Sequence, residues 1–328
     1  MNSNTPPVVV SMIIVSWNTK NYLIQCLNTL APETCPYPME IIVVDNASTD
    51  GSAEWVAQYF PHVRLIQNAA NLGFAKANNI GASLSQGQYL CFINSDVKVR
   101  ENCITRLVDY CEKNPGVGMA GPHIFGGDGK TQRTCRGFPG LWNMFCRALA
   151  LDTVFPEVKL FTGYSLSYWP QNDLQTVDIL SGCFWLVRRA AIQQTGLLDE
   201  SFFMYGEDMD WCKRFREAGW SLAFVPTAEA IHFGGASSAN DPIRFYVEMQ
   251  RADLQYWKKH HPTPVFACYY LIACLHMLLR AMGYSVAFSF HAGKRHTYRH
   301  KTKRSMAGLL YLFTGRSLVS RNSFYPTA

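Results

Sequence analysis

The acidic segment at residues 206–211 is the first place in this sequence where side-chain types and spacing suggest chemistry. A positioned carboxylate can act as a general base that takes the proton from a reacting hydroxyl group. Successive helix residues point in different directions, so only one or two of its acids can face a pocket. We predict Asp208 as the base, with Glu207 as the reserve that contacts an acceptor hydroxyl. The plainer alternative is that these acids complement a helix dipole and that Asp210 pairs with a basic residue three or four positions later.

Two further side chains have the chemistry of cation ligands. Asp96 follows an apolar run, and Mg²⁺ in proteins is typically held by one or two carboxylates together with substrate phosphates. His232 follows a predicted strand and precedes a Gly- and Ser-containing stretch, Gly234-Gly235 and Ser237-Ser238, which suits phosphate binding. A single histidine after a strand is more often structural than a ligand, so both interpretations of His232 stay open.

The elements that must position these side chains come from an alternation of short apolar runs and helix-length amphipathic segments. Apolar strands that alternate with helices are typical of a parallel sheet covered on both faces. The predicted strands are residues 8–16, 40–45, 63–67 and 88–93, and the predicted helices are 19–30, 49 or 50 to 60, and 74–84.

Three of these strands are followed by polar residues. These are Ser16-Trp17-Asn18, Asp45-Asn46 and Asn94-Ser95-Asp96. Ligands bind parallel sheets at the carboxyl ends of the strands, and the three groups would lie along one edge. Each alone is explained as a helix cap or a turn. The three together favour a ligand site.

The second half of the sequence is less regular. Residues 137–175 are aromatic with few periodic patterns, which predicts a variable loop region able to touch an acceptor. Strands are predicted at 177–187 and 220–225, and helices at 206–218 and 241–260. We expect a domain at residues 1–262, with two halves at about 8–122 and 123–262.

The remaining residues, 263–328, are predicted to form an extension that associates with the membrane. Residues 265–290 are apolar apart from Arg280, and residues 291–304 contain six Lys or Arg and no acid. The first apolar run is shorter than the roughly 20 residues of a spanning helix, so we expect an interfacial or re-entrant segment on anionic lipid. A buried packing hairpin and a solvated basic tail are the alternatives.

Composition limits the function classes. The chain has 328 residues, of which 48% are hydrophobic and 16% charged, as in a globular protein with a sizeable core. Its eleven cysteines form no CxxC pair and no zinc-like spacing, which indicates reduced thiols in a cytosolic compartment. The net charge of +6 is concentrated near the C-terminus, which favours a lipid surface over nucleic acid as a partner. The first seven residues carry no Lys or Arg, unlike a signal peptide.

Seven segments, in order, resemble the family 2 glycosyltransferases with the GT-A fold, and in particular the rhamnosyltransferase-like branch that builds bacterial surface polysaccharides. The resemblance covers about residues 8–261. The segments are Val15-Ser16-Trp17-Asn18, residues 42–51 (IVVDNASTDG), residues 71–79 (NLGFAKANN), Asn94-Ser95-Asp96, residues 182–189 (GCFWLVRR), residues 203–210 (FMYGEDMD) and the His232 segment.

The resemblance implies an inverting transfer of sugar from a nucleotide-sugar to a hydroxyl, by one in-line displacement without a covalent intermediate. It implies that Asp96 and His232 bind Mg²⁺ or Mn²⁺ and that Asp208 is the base. It also implies that residues 8–122 form the nucleotide-binding half and residues 123–262 the acceptor-binding and catalytic half. Asp45 would hold the nucleobase or ribose. The full set predicted to bind the nucleotide-sugar is Ser16, Asn18, Asp45, Asn46, Asn71, Gly73, Asn78 and Ser95.

The sequence departs from the family's Asp-x-Asp motif, because Asn94 stands where the first carboxylate would be. An amide is a weaker ligand for a hard cation, which puts metal affinity in question. The resemblance favours dTDP-rhamnose as donor, with UDP-hexoses behind it. We expect a lipid-linked saccharide as acceptor, no nucleic acid partner, and a location at the cytoplasmic face of the inner membrane, peripheral or shallowly inserted. A nucleotidyltransferase and a non-catalytic membrane scaffold are the alternatives; a Rossmann dehydrogenase lacks its glycine motif here.

Overall fold

The computed structural model describes residues 9–30, 35–235 and 242–315. The first half of the described chain contains β1 (Val10–Ser16), α1 (Lys20–Asn28), β2 (Met39–Asp45), α2 (Ser52–Tyr59), β3 (Arg64–Gln67), α3 (Phe74–Ser83), β4 (Tyr89–Asn94), β5 (Val97–Val99), α4 (Cys103–Lys113), β6 (Val117–Gly126) and β7 (Cys135–Arg136). The second half contains α5 (Leu141–Ala148), α6 (Leu151–Val154), α7 (Lys159–Thr162), β8 (Gln175–Val177), β9 (Ile179–Leu180), β10 (Phe184–Arg188), α8 (Arg189–Thr195), α9 (Glu207–Glu217), β11 (Ser221–His232), α10 (Pro242–His260), α11 (Thr263–Phe290) and α12 (Arg295–Thr314).

The described strands form one nine-stranded sheet and one small two-stranded sheet. The large sheet has the order β3-β2-β1-β4-β10-β6-β11-β5, with β8 also paired to β11, and the small sheet pairs β7 with β9. Strands β3, β2, β1 and β4 are mutually parallel, and β6 is parallel to β11. Strand β10 lies between these two parallel groups and is antiparallel to both neighbours. The predicted fold class, a mostly parallel sheet flanked by helices, is therefore confirmed.

Both faces of the parallel strands are covered because their residues are apolar on both sides. Met12, Ile14 and Val43 belong to the main core cluster on one face. On the other face Val44 packs with Ala77 of α3. Each of these side chains is fully buried, and burial of such a side chain stabilises the fold by about 1.5–3 kcal/mol for the larger aliphatic residues.

The register of the strands brings their polar ends to one edge. Ser16 pairs with Asp45 at the ends of β1 and β2, and Val15 pairs with Asn94 at the end of β4. The three polar groups singled out in the sequence therefore end neighbouring strands on the same side. The predicted cap of α2 was less accurate: Gly51 occupies the cap position with a positive φ. Asp50 still contributes, because its carboxylate accepts hydrogen bonds from the backbone N–H groups of Ser52 and Lys20.

The chain divides into two compact units. Unit 1 comprises Met1–Arg136, Gln171–Phe203 and Glu207–Ser237, and unit 2 comprises Gly137–Pro170, Met204–Gly206 and Ser238–Ala328, each within the described residues. All the strands found among the described residues belong to unit 1. The units divide the chain differently from the expected division at residue 262, because α10 and residues 137–170 group with the C-terminal helices. The predicted functional domains, 1–262 and 263–328, stay a prediction.

Unit 2 is helical. Residues 137–175 were expected to be irregular, and that expectation was wrong for α5, α6 and α7. For α6 and α7 the reason is that their apolar residues lie on the surface and give no core-facing pattern; Val154 of α6 and Leu160 of α7 are each 63% exposed. The predicted helix 241–260 corresponds to α10.

Helix α11 is continuous over 28 residues and does not break at Arg280. Its buried residues Tyr269, Ala273, Met277 and Ala281 recur every four positions and form one stripe. By length and composition alone, it is the one helix among the described residues that is long and apolar enough to cross a membrane, and 22% of its most apolar window is buried. The same test is passed by core helices of soluble proteins, so the alternatives for this segment stay open.

Candidate active site

Asp45 is the most distinctive polar residue at the strand ends. It is 3% exposed and ends β2. Its Oδ2 accepts a hydrogen bond from the backbone N–H of Ser48 at 2.9 Å, while its buried Oδ1 has no hydrogen-bond partner among the described residues. Because an unsatisfied buried carboxylate oxygen is costly, this atom is suited to accept a hydrogen bond from a ligand.

Ser16 and Ser95 are joined by a buried chain of hydroxyl groups. The Ser16 hydroxyl lies 3.1 Å from that of Thr19, which lies 2.8 Å from that of Ser95. Asn18 has a positive φ and accepts a hydrogen bond from the backbone N–H of Thr49. These contacts connect the polar ends of β1, β2 and β4, so the structure brings these predicted residues together at one edge.

Asn46 is the centre of a second network. Its side-chain amide donates to Oδ1 of Asn71 and to the carbonyl of Gly73, at 3.0 and 3.2 Å. Its Oδ1 accepts from the Asn68 side chain and the Leu72 backbone. Asn46 therefore shapes the loop before α3, and its predicted contact with a nucleotide-sugar stays a prediction.

Gly73 is required by a close approach of the chain to itself. Its φ is +85°, and a Cβ built on it would lie 2.4 Å from the carbonyl oxygen of Phe203. The backbone N–H of Phe74 donates to that same oxygen at 2.7 Å. The close neighbour is thus the segment before α9, whereas the sequence suggested a ligand. Asn78, buried in α3, donates to the carbonyl of Phe74 and stabilises the same turn.

Asp96 and His232 meet although 136 positions separate them, because β5 and β11 are paired. The Asp96 Oδ1 lies 3.2 Å from Nε2 of His232, and both side chains are nearly buried. The other ring nitrogen, Nδ1, donates to Oε1 of Gln132 at 3.1 Å. The amide nitrogen of Asn94 lies 3.5 Å from Nε2, and the buried Oδ1 of Asn94 has no hydrogen-bond partner among the described residues.

These residues fit a hard divalent cation. With its proton on Nδ1, His232 directs the lone pair of Nε2 toward the Asp96 carboxylate. Two hydrogen-bond acceptors 3.2 Å apart repel each other unless a proton or a cation lies between them. A hydrogen bond to the second ring nitrogen is the usual way to orient a histidine ligand. No group of three or more His, Cys, Asp or Glu that could hold a metal occurs in the described part of the chain. The site therefore suits a cation that is also held by substrate phosphates.

Asp208 lies at the start of α9, half-buried. Burial raises the pKa of its carboxyl, while Arg136 and the backbone N–H groups of Met209 and Gly182 act in the opposite direction without cancelling the rise. The buried Cys183 thiol has its pKa raised to about 12, first by burial and then by the charges of Asp96 and Asp208 among others. The backbone N–H of Gly182 donates to Asp208, and the carbonyl oxygen of the next residue, Cys183, accepts from the backbone N–H of Asn94 at 3.0 Å. The predicted base therefore lies near the end of β4, the strand that leads to Asp96.

The other two acids in the first turn of α9 differ from Asp208. Asp210 is completely buried and pairs with Arg214 at 2.8 Å, as the helical spacing indicated. Arg214 also donates to the carbonyls of Thr195 and Leu197, so this pair is structural. Glu207 is buried in the first turn, and its predicted role at an acceptor hydroxyl stays a prediction.

The sequence analysis missed two residues of this site, Gln132 and Arg136. Both lie in the segment between β6 and β8, in or next to the short strand β7. No local pattern distinguished them, because their importance comes from β7 pairing with β9 and from the return of β11 to the sheet. Downstream of His232, Gly234 and Gly235 have positive φ, whereas Ser237-Ser238 lie outside the described residues.

Comparisons with known proteins agree with this geometry. Residues 11–196 match the family model for glycosyl transferase family 2. The N-acetylglucosaminyl-diphospho-decaprenol L-rhamnosyltransferase of Mycobacterium tuberculosis is 32% identical over 245 residues, covering 71% of this chain and 79% of the relative. The dTDP-rhamnosyl transferase RfbF of Shigella flexneri is 26% identical over 274 residues, covering 80% and 83%. The structure of the mannosyltransferase PcManGT from Pyrobaculum calidifontis, in complex with GDP-Man and Mn²⁺, aligns with a TM-score of 0.57 at 14% identity, covering 96% of this chain and 91% of that one, which supports the GT-A fold.

Proposed function

Because this chain belongs to glycosyl transferase family 2 and is a glycosyltransferase, we propose that it moves rhamnose from dTDP-rhamnose to a hydroxyl of a lipid-linked saccharide in bacterial cell-surface polysaccharide synthesis. Two relatives support the sugar: one is named a decaprenol-linked rhamnosyltransferase and the other a dTDP-rhamnosyl transferase. The first of these names also supports a lipid-linked diphosphate acceptor. Neither alternative, a nucleotidyltransferase or a non-catalytic scaffold, is favoured by any feature of the site.

The observation that carries the proposed mechanism is the 3.2 Å contact between Asp96 and His232. Asp208, at the start of α9, is a second acid in different surroundings, because burial raises the pKa of its carboxyl and Arg136 opposes that rise. A transfer reaction needs two separate functions. One neutralises charge on the leaving diphosphate, and the other removes a proton from the acceptor. Two acids in different surroundings can divide these functions.

Asp208 is the proposed general base. Its ionised carboxylate accepts the proton of the acceptor hydroxyl while that oxygen bonds to the anomeric carbon, and the bond to the nucleoside diphosphate breaks on the opposite face. This single displacement inverts the anomeric centre. Because burial raises the pKa of Asp208, its carboxylate is a stronger base than an exposed aspartate. The positive charge of Arg136 limits that rise. Glu207 is proposed to contact the acceptor.

Asp96 and His232 are the proposed cation ligands, supported by their 3.2 Å contact. A bound Mg²⁺ or Mn²⁺ would neutralise charge on the leaving diphosphate. The neutral Asn94 beside them lowers the local negative charge and predicts weaker metal affinity than a second aspartate would give. The described acids are too few for a metal site made of protein ligands alone, so binding of metal and donor should be coupled.

Asp45 is the proposed nucleotide contact, with Ser16, Asn18 and Ser95 beside it. The buried, unpaired Oδ1 of Asp45 would accept from an N–H of the base or a hydroxyl of the ribose. The loop before α3 is proposed to line the nucleotide-sugar site. This loop is stabilised by Asn46, Asn71, Gly73 and Asn78, which are the proposed contacts.

The proposed location is the cytoplasmic face of the inner membrane, peripheral or shallowly inserted. Its support lies within unit 2, where α11 exposes large apolar side chains. Leu271 is 68% and Phe290 is 81% exposed. Six basic residues follow α11 between positions 291 and 304. Exposed apolar side chains followed by basic residues suit the surface of an anionic leaflet.

The test is a transfer assay with purified enzyme, dTDP-rhamnose, and a lipid-linked N-acetylglucosaminyl diphosphate as acceptor. We expect a product of added deoxyhexose mass whose anomeric configuration is opposite to that of the donor. UDP-hexoses are the comparison donors. Transfer from a UDP-hexose alone would refute the donor, and retention of configuration would refute the single displacement.

A further inference from the structure

Three arginines of unit 2 come together without an acidic partner. They are Arg147 of α5, Arg280 of α11 and Arg304 of α12, called the arginine cluster below. The Arg304 guanidinium lies 4.5 Å from the ring centroid of Tyr246, and Arg280 Nη2 donates to the carbonyl oxygen of Arg147 at 3.3 Å. Burial raises the pKa of Tyr246, while Arg304, Arg147 and Arg280 oppose that rise, so all three charges act on one ring.

The cluster has unused capacity for an anion. None of the ion pairs between described residues includes any of the three arginines. The buried Nε of Arg304 has no hydrogen-bond partner in the described part of the chain. His276 adds no charge at neutral pH, because burial together with Arg147 and Arg280 lowers its pKa to about 4. Three like charges held together favour binding of a multivalent anion, which would relieve their repulsion.

The chemistry of the cluster indicates phosphate groups. Guanidinium groups present planar sets of N–H donors that match two oxygens of a phosphate at once. A fourth cation, Lys301, lies three positions before Arg304 on α12, which places the two on neighbouring positions of the helix surface, and it is 5.4 Å from the ring centroid of Tyr284. Three or four positive charges match a diphosphate better than a single phosphodiester.

The surroundings of the cluster indicate that its anion carries a lipid. On α11, Leu278 and Met282 flank Arg280 in sequence and are 46% and 57% exposed. On α5, Phe145 and Leu149 flank Arg147 and are 37% and 41% exposed. Positions two apart on a helix point to different faces, so these apolar side chains lie on other faces of the helices that carry Arg280 and Arg147. A charged cluster on helices that also expose apolar surface suits an anion attached to a lipid better than a free anion.

We propose that the arginine cluster binds the diphosphate of the lipid-linked acceptor, with the apolar surface of α5 and α11 against the membrane. This rests on the proposed function for the existence of such an acceptor. It gives unit 2 a specific task, the capture of the acceptor lipid, and it assigns part of the irregular-looking segment 137–170 to that task.

Vesicle flotation with the full chain and no donor tests the proposal. Three kinds of phosphatidylcholine vesicle are compared: without additive, with a polyprenyl diphosphate, and with phosphatidylglycerol at equal total charge. The variant Arg280→Gln/Arg304→Gln removes two charges of the cluster. Its matched control, Arg299→Gln/Lys303→Gln, removes two exposed charges from α12.

We expect the wild-type chain to prefer the diphosphate vesicles, and the cluster variant to bind them at least about tenfold more weakly, because two of the cations that attract the anion are lost. The control variant should keep the preference. Equal binding to diphosphate and phosphatidylglycerol vesicles would overturn the proposal, since the cluster would then be a general basic surface. If inorganic diphosphate abolishes flotation with every vesicle type, the proposal that the bound diphosphate belongs to a lipid would be overturned.

Folding and function are separated by two further measurements. Arg147→Gln changes an exposed arginine and should reduce the preference without altering the near-UV circular dichroism spectrum, which keeps the test valid if the double variant misfolds. Thermal-shift binding of dTDP-rhamnose is measured on the same proteins. If every variant keeps its preference for diphosphate vesicles while donor binding is intact, the role of the arginine cluster is refuted and the proposed function is not. If none of the proteins binds the donor, the proposed function is refuted.

Discussion

Replacement of Asp208 by Asn separates catalysis from binding and from folding. The substitution keeps the shape of the side chain and an oxygen that can accept from the Met209 N–H, and it removes the charge. An amide cannot take the proton of an acceptor hydroxyl. We therefore expect the rate of transfer to fall by about 10²–10⁴-fold, the range for loss of a general base. The Kd of the donor should change by no more than about twofold, far less than the tenfold change that corresponds to about 1.4 kcal/mol of binding free energy.

The stability of this variant provides an independent check. Burial raises the pKa of Asp208 above its ordinary value, so the ionised form destabilises the folded state at neutral pH, and that cost disappears as the pH falls through the raised pKa. Asn has no charge to desolvate. Asp208→Asn should therefore have an unchanged or higher Tm at pH 7. In the wild type, transfer should decline at low pH with a midpoint above that of an ordinary aspartate.

Asp210→Asn is the matched control in the same helix. It leaves the guanidinium of Arg214 without its buried partner, and we expect it to lower stability by about 3 kcal/mol. The assays are initial-rate transfer, donor binding by calorimetry, and thermal melts. An Asp208→Asn enzyme that transfers sugar at the wild-type rate would refute the base assignment. Loss of donor binding instead would move Asp208 to the nucleotide or the cation.

Three further predictions address the loop, the cation and the membrane. Gly73→Ala should destabilise the fold by about 2 kcal/mol or more in denaturant melts, because its φ is positive and the Cβ meets the Phe203 carbonyl; an unchanged melting midpoint would contradict this. Gln132→Ala should weaken Mn²⁺-dependent donor binding about 10–100-fold in a Mn²⁺ titration, since it no longer orients His232; unchanged Mn²⁺ dependence would remove Gln132 from the site. Deletion of residues 266–304 should move the protein to the soluble fraction after lysis, and a truncated chain that still sediments with membranes would exclude that segment as the anchor.

The strand ends illustrate what the sequence allowed. Ser16, Asp45 and Asn94 each follow an apolar run, and parallel pairing of β1, β2 and β4 put their ends side by side as expected. The spacing that links Asp210 to Arg214 was also readable, because helical neighbours lie three or four positions apart. Local periodicity sufficed for these features.

Other features depend on contacts that local patterns do not encode. Asn46 follows the predicted strand-end pattern, yet its amide serves the loop that contains Asn71 and Gly73. Gln132 reaches His232 across 100 positions, and no spacing rule connects them. Helices such as α6, only four residues long, were missed because their apolar residues face outward and leave no core-facing period.

The proposed mechanism depends on a cation that Asp96 and His232 share with a nucleotide-sugar donor. Its decisive test is a thermal-shift panel of dTDP-rhamnose, UDP-hexoses and GDP-mannose, each with Mg²⁺, Mn²⁺ or EDTA, on the wild type and on Asp96→Ala. We expect dTDP-rhamnose to raise the Tm with metal present, and EDTA or Asp96→Ala to remove the shift. Donor binding that is indifferent to EDTA and to Asp96→Ala would contradict it and would make the site with Asn94 metal-independent.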